Sequence, residues 1–203
     1  MRNHVKATAR TRGAIIVTGT PGTGKTAFSK AFAKEIGADY IPLTRYVSKH
    51  MLFSGFDRER RSKIIDTAKT KSSLTALLSQ SQRLVVIDTH VPEGIIPKKM
   101  TRKVFVLRCH PRKLETRLRG KGWSSNKIRE NVLAEILDFC LISAVRYFGW
   151  PKIIQLDTSR AGLRDCVVSA KKFLLGRSSK STTSVDWLRR LQREGLLNRY
   201  LKS

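Results

Sequence analysis

Apolar residues in this chain cluster in short runs without polar alternation: AIIV at 14–17, LVVID at 84–88, VFVL at 104–107 and KIIQL at 152–156, with a weaker run at 39–43. An unbroken apolar run of that length suits a strand buried on both faces, whereas a half-exposed strand alternates. The intervening stretches carry helical spacing. Phe28, Phe32 and Ile36 mark an amphipathic helix closing on Gly37, and Arg112–Arg119 a short one ending at Gly120. Ile128, Val132, Ile136, Phe139 and Ile142 predict one long helix over 126–148, and 160–175 reads as another. Residues 44–82 are polar and basic, and read as helical in pieces. Strands alternating with helices predict an α/β, doubly wound parallel sheet with helices on both faces.

The C-terminal text differs. GRSSKSTTS (176–184) reads as a linker, and TSVD (183–186) has capping-box spacing, with Thr183 as N-cap and Asp186 at the third helical position. The helix it opens carries Val185, Trp187, Leu188 and Leu191, and Gly195 ends it. The chain thus divides into a basic tail (1–13), a main domain (14–175), the linker, and a basic helical arm (185–203). That arm either docks on the body or serves a partner or RNA.

Charge changes the picture most. Lys and Arg number 41 against 15 Asp and Glu, a net +26. Residues 176–203 hold seven basic and two acidic groups, so most of the excess lies in the body. Self-repulsion on that scale favours a polyanionic partner, because binding one releases its counterions. RNA is the natural candidate; adaptation to the host's salt or pH is the other explanation. Cys109, Cys140 and Cys166 are odd in number and lack CxxC spacing, which fits a reduced compartment without disulfides or zinc. MRNHVKATARTR has no apolar signal core and no run spans a membrane, so a cytoplasmic location and no membrane partner are expected.

GTPGTGKT at 19–26 matches GxxxxGK[ST], with an apolar strand before it and an amphipathic helix after. Glycines let successive N–H groups turn towards phosphate oxygens, and the helix N-terminus adds its positive end. Lys25 is expected to reach the β- and γ-phosphates of ATP, and Thr26 to ligate Mg²⁺. Asp88 ends a second apolar strand, whose tip shares a rim with the loop in an open parallel sheet, and so becomes the second Mg²⁺ group. His90 lies on Asp88's side if the strand continues, where an imidazole would orient a water or an acceptor; otherwise it is a loop histidine. The catalytic candidates are Lys25, Asp88 and His90.

GTPGTGKT, IDTH, SGFDRERRSKIID and VFVLRCHPRKLETRLRGKGWSSNKIRENVLAEI together resemble the adenylate kinase-like ATPases of small ribosomal subunit assembly, the nuclear-type adenylate kinase or coilin-interacting nuclear ATPase group. The likeness covers about residues 14–175. It implies an adenylate kinase-like core with a monophosphate-binding segment (42–65) and a short lid (120–130). It also implies both ATP hydrolysis and the reaction ATP + AMP to 2 ADP, with a small-subunit platform ribosomal protein and rRNA as partners. Gly22, Gly24, Lys25, Thr26 and Ala27 fall on ATP-binding positions, Asp88 and His90 on the Mg²⁺ and water-orienting pair, and Arg108 and Arg117 on basic positions flanking the lid helix.

Two positions depart from that group. Lys121 stands where an arginine precedes Gly-aromatic, losing the flat guanidinium that stacks on adenine. Arg45 stands where the monophosphate segment has an acidic residue. Arg117, Lys121 or Arg129 would bring positive charge to the phosphates on lid closure. The expected role is a nucleotide-consuming assembly factor. The alternatives are a metabolic nucleoside monophosphate kinase, which leaves +26 unused, and an RNA-binding module whose nucleotide site is structural.

Overall fold

The computed structural model describes residues 12–57, 62–177 and 185–201. β1 (Gly13–Thr18) runs into the glycine loop and α1 (Lys25–Ile36), which closes on a left-handed Gly37. β2 (Asp39–Pro42) and α2 (Leu43–Lys49) follow, then β3 (Phe53–Asp57) and β4 (Ser62–Ile65), α3 (Thr67–Gln80) and β5 (Leu84–Asp88). β6 (Thr101–Arg108), α4 (Pro111–Arg119), α5 (Ser125–Ile136), α6 (Phe139–Phe148), β7 (Ile153–Asp157) and α7 (Leu163–Leu174) complete the body.

Five strands form one sheet in the order β2-β5-β1-β6-β7, every neighbouring pair parallel. Residues 14–17 of β1 are fully buried because helices cover both faces. Phe28 and Phe32 of α1 and Ala170 of α7 pack on one face. Leu43, Leu74 and Ala144, from α2, α3 and α6, pack on the other. After β2 and β5 the chain crosses to the opposite side of β1 for β6 and β7. That reversal opens a crevice at the carboxyl ends of the central strands, where open α/β sheets bind ligands. No described helix is long and apolar enough to cross a membrane.

Three expectations are corrected. Within 44–82, β3 and β4 form an antiparallel hairpin outside the main sheet. Its half-exposed strands, with Phe56 57% and Ile64 50% exposed, lack the continuous apolar run that marked the others. The single helix over 126–148 is two: Asp138 adopts φ 57°, and this left-handed residue rotates α6 relative to α5. Leu141, Ala144 and Phe148 therefore face the sheet, while Phe139 and Ile142, assigned to the buried stripe by spacing, are 67% and 52% exposed.

The third correction concerns the arm. α8 (Trp187–Arg193) is capped by Asp186 itself, whose side chain accepts from the Arg189 N–H at 2.9 Å. Asp186 is thus the cap, not the third helical residue, and Thr183 lies outside the described residues. With α9 (Leu197–Leu201), α8 docks on the body: Leu191 and Tyr200 are buried with Leu114 and Leu118 of α4 and with Ile128, Val132 and Ile136 of α5.

Candidate functional site

The glycine loop is wedged between the end of β6 and α4. Gly19 (φ 138°) passes so near the Leu107 carbonyl that a Cβ would lie 2.4 Å from its oxygen. At Gly22 (φ 93°) a Cβ would lie 2.8 Å from Leu114 Cδ1 and 2.9 Å from Leu118 Cδ2. Glycine is required at both by backbone angle and by space. Lys25 Nζ, on the first turn of α1, donates to the Gly19 carbonyl at 2.7 Å and the Thr20 carbonyl at 3.2 Å. Burial is the main cause holding its pKa below the ordinary lysine value, and Lys121 lowers it further, against Asp88, Cys140 and Glu135. A poorly hydrated cation at the mouth of a ring of N–H groups is suited to phosphate.

β1 and β5 pair with Val17 opposite Asp88, so Asp88 lies at the rim beside the loop. Asp88 Oδ2 accepts from Thr26 Oγ1 at 2.8 Å and from Tyr40 OH at 3.2 Å. A hydroxyl and a carboxylate in contact beside a phosphate loop are hard oxygen donors that suit Mg²⁺, which takes one or two protein ligands and fills its shell with phosphate and water. No cluster of three or more His, Cys, Asp or Glu side chains stands ready for another metal among the described residues. Burial, and then the charge and hydrogen bond of Asp88, push the Tyr40 phenol to about 12, so it stays a donor.

β5 ends at Asp88, the Thr89 N–H extends its pairing with β1 by one bond to the Val17 carbonyl at 3.1 Å, and the chain then bends at His90. His90 therefore lies on a bend rather than a continued strand, exposed at the crevice mouth. Crowding by protein lowers its pKa, with Lys25 adding to the shift and Asp88 opposing it, so the ring is neutral at pH 7.

The basic residues separate. Lys121 is exposed in the turn between α4 and α5, near enough to act on Lys25. Arg117 braces the loop from outside, its guanidinium donating to the Gly22 carbonyl at 3.3 Å and to Thr158 Oγ1 at 3.2 Å. Arg129 is exposed on α5 beside a cavity of about 270 Å³, shared with Arg119 and Tyr200. Arg108 does not face the crevice: it is 1% exposed, and its guanidinium bonds Glu135, Gln155 and Asp138. It holds the floor beneath the loop rather than charge at the lid. Gly24 (φ 97°) and Ala27 flank Lys25 and Thr26 at the start of α1.

Sequence reasoning missed Tyr40 and Glu135. Tyr40 stands on a strand whose Pro42 is level with Asp88, a register that no local pattern reveals. Glu135 had a signal: it falls on the apolar stripe of Ile128 and Val132, where an acid is out of place, and it is 2% exposed. Its Oε2 accepts from Thr20 Oγ1 of the loop at 2.5 Å. Its Oε1 accepts from Arg108 Nε, the Cys109 N–H and Trp187 Nε1, at 2.9, 3.0 and 2.9 Å. Apart from the crevice, a cleft of about 710 Å³ between β7, α7 and α8 presents Arg160, Lys172, Arg189 and Arg193.

Comparison with known proteins agrees with this geometry. A family model described as "AAA domain" matches residues 15–138. A Saccharolobus solfataricus protein described as "Putative adenylate kinase" is 38% identical over 145 residues, covering 71% of this chain and 74% of that one. A Methanocaldococcus jannaschii protein of the same description is 30% identical over 173 residues, covering 85% and 92%. Among solved structures, shikimate kinase from Acinetobacter baumannii in complex with shikimate superposes with a TM-score of 0.56 at 16% identity, covering 84% of this chain and 97% of that one. That likeness is one of fold.

Proposed function

The chain belongs to the AAA-domain P-loop family with these archaeal relatives, and from that premise we propose that it is an adenylate kinase, moving the terminal phosphoryl of ATP to AMP to give two ADP. The carrying observation is the contact of Thr26 Oγ1 with Asp88 Oδ2 at 2.8 Å, made by the residue that directly follows Lys25 at the start of α1. This is the arrangement that phosphoryl transfer needs: the reaction is helped chiefly by positioning and by neutralising charge on the β- and γ-phosphates.

Each residue then has a task. The loop N–H groups and Lys25 hold the phosphates. Thr26 and Asp88 would hold Mg²⁺, which when bound spreads positive charge over β- and γ-oxygens. Tyr40 fixes the Asp88 carboxylate. An oxygen of the AMP phosphate forms the new P–O bond as the bond to the ADP leaving group breaks, its electrons staying with ADP. α2 and the β3–β4 hairpin, on the far side of the crevice, would receive AMP, and Lys121 with Arg117 would approach the phosphates from the α4–α5 side. His90, neutral and exposed, would orient a water or the acceptor.

Two features of the molecule favour a second reading, an ATPase of small-subunit assembly bound to a platform ribosomal protein and rRNA. A net charge of +26 and the arginine-lined cleft beside α8 suit a polyanion. A single assay separates the two: ADP and phosphate release with Mg²⁺ and ATP alone, with AMP, and with AMP plus small-subunit rRNA. The kinase reading expects ADP to form at two per AMP consumed, with little phosphate released. Phosphate release at the same rate without AMP, and altered by rRNA, would replace it with the assembly ATPase.

A further inference from the structure

The carboxylate of Glu135 joins two parts of the molecule that the sequence holds far apart. One oxygen accepts from Thr20, inside the glycine loop; the other accepts from Trp187, the first residue of α8. The same Thr20 supplies, through its backbone carbonyl, an acceptor for Lys25 Nζ at 3.2 Å and for the Thr23 N–H at 3.2 Å. A short polar path therefore runs from the indole N–H of the arm, through one buried acid, to Lys25 at the end of the glycine loop.

The arm is anchored for this purpose. Trp187 is 1% exposed, with the Arg108 guanidinium 5.9 Å from its ring centre and His110 edge-on at 5.4 Å. His110 Nε2 in turn meets Glu194 Oε2 at 2.9 Å, tying the end of α8 to the start of α4. Leu191 and Tyr200 share the apolar cluster of Leu114 and Leu118, the side chains against which Gly22 is pressed. The loop thus meets the arm by two routes, a hydrogen-bonded one at Thr20 and a packed one at Gly22.

We propose that the C-terminal arm is a positioning element of the nucleotide site, with Trp187 setting the loop at Thr20 through Glu135, so that arm docking and nucleotide binding favour one another. This rests on the glycine loop being a nucleotide site. Thr20 Oγ1 has a fixed acceptor only while Glu135 is itself held, and Glu135 is held on its other oxygen by Arg108, Cys109 and the arm. Withdrawing the indole N–H leaves that oxygen to the Arg108 and Cys109 donors alone, so the carboxylate shifts towards them and the loop's anchor at Thr20 moves, without the loss of any group in the phosphate loop. By linkage, a nucleotide that requires the set loop must stabilise the docked arm by the same factor.

The test is a double-mutant cycle in the full-length protein: wild type, W187F, T20V and the pair, with dissociation constants for Mg²⁺-ATP and for ADP measured calorimetrically well below each variant's melting temperature. Phenylalanine keeps the buried ring and removes the donor; valine keeps the shape of Thr20 and removes the hydroxyl. Each single variant is expected to weaken ATP binding about threefold to tenfold, and the pair no more than T20V alone, since both cut the same connection. A control, L188A, trims a half-exposed side chain of the same helix that belongs to neither route, and should leave ATP affinity within about twofold of wild type. Hydrogen exchange of residues 187–193 gives the reciprocal readout, slowing when ATP binds to wild type and not to T20V. W187F binding ATP within about twofold of wild type, or effects of W187F and T20V that simply add, would overturn the coupling. Wild type failing to bind ATP at all would instead overturn the nucleotide site on which it rests.

Discussion

Replacing Glu135 by glutamine tests the ion-paired floor of the site as a matter of stability. The carboxylate is 2% exposed and accepts from Arg108, Cys109, Trp187 and Thr20. An amide of the same shape keeps one acceptor oxygen for the Arg108, Cys109 and Trp187 donors. Thr20's hydroxyl can turn to accept from the new NH₂, so what is lost is chiefly the charge opposite Arg108. Removing one partner of a buried pair costs about 3–5 kcal/mol. Asp138, one-third exposed, still faces the guanidinium, which places the expected loss near the lower end, about 3 kcal/mol. With a urea m-value of about 2–3 kcal/mol per molar, the unfolding midpoint should fall by about 1 M. The double variant R108M/E135Q removes both charges and fills the space with an apolar chain, so it should lose less than E135Q alone. Urea denaturation followed by far-ultraviolet circular dichroism measures both. A loss below about 1 kcal/mol for E135Q, or a double variant worse than the single, would refute the assignment of Arg108–Glu135 as a matched buried pair.

Three further outcomes follow from the site. D88N, which leaves the Thr26 and Tyr40 hydroxyls without their carboxylate acceptor, should lower turnover about 100-fold or more while ATP still binds in the absence of Mg²⁺; turnover within about tenfold of wild type would remove Asp88 from the metal pair. G22A should destabilise the protein by about 1–3 kcal/mol, from the positive φ and the collision with Leu114 and Leu118, as read by thermal unfolding, and wild-type stability would show that α4 yields. His90 carries a pKa below the ordinary 6.5, so its neutral form dominates through that value and any acid limb it causes in the turnover profile lies lower; a limb centred at 6.5 in wild type and absent in H90N would contradict that lowering by the surrounding protein and Lys25.

What the sequence determined by itself is the half of the site that is local. The run AIIV, the glycine loop and the α1 spacing are contiguous, and each needs only its own residues to make its strand, ring of N–H groups or helix. The sheet was legible for a related reason: strands covered on both faces must be apolar throughout, and LVVID, VFVL and KIIQL announce that cover without revealing what supplies it. Asp88 followed because carboxyl ends of parallel strands share a rim.

The rest was decided by contacts across long stretches of chain. The β3–β4 hairpin has exposed faces, so no apolar pattern marks it. The helix over 126–148 breaks because Asp138, left-handed and unfavourable on local grounds, meets an arginine thirty positions earlier. Arg108 turns inward because Glu135, Gln155 and Asp138 converge there; on the sequence it is one basic residue among many. Trp187 follows the Ser- and Thr-rich text 176–184, and nothing in its neighbours says that its N–H will reach an acid that also holds the phosphate loop. Periodicity reports which face of an element is covered. Which charge neutralises which, and which end of the chain steadies the loop, is fixed only when the packed core brings distant residues within a hydrogen bond, where low polarity makes each pairing matter.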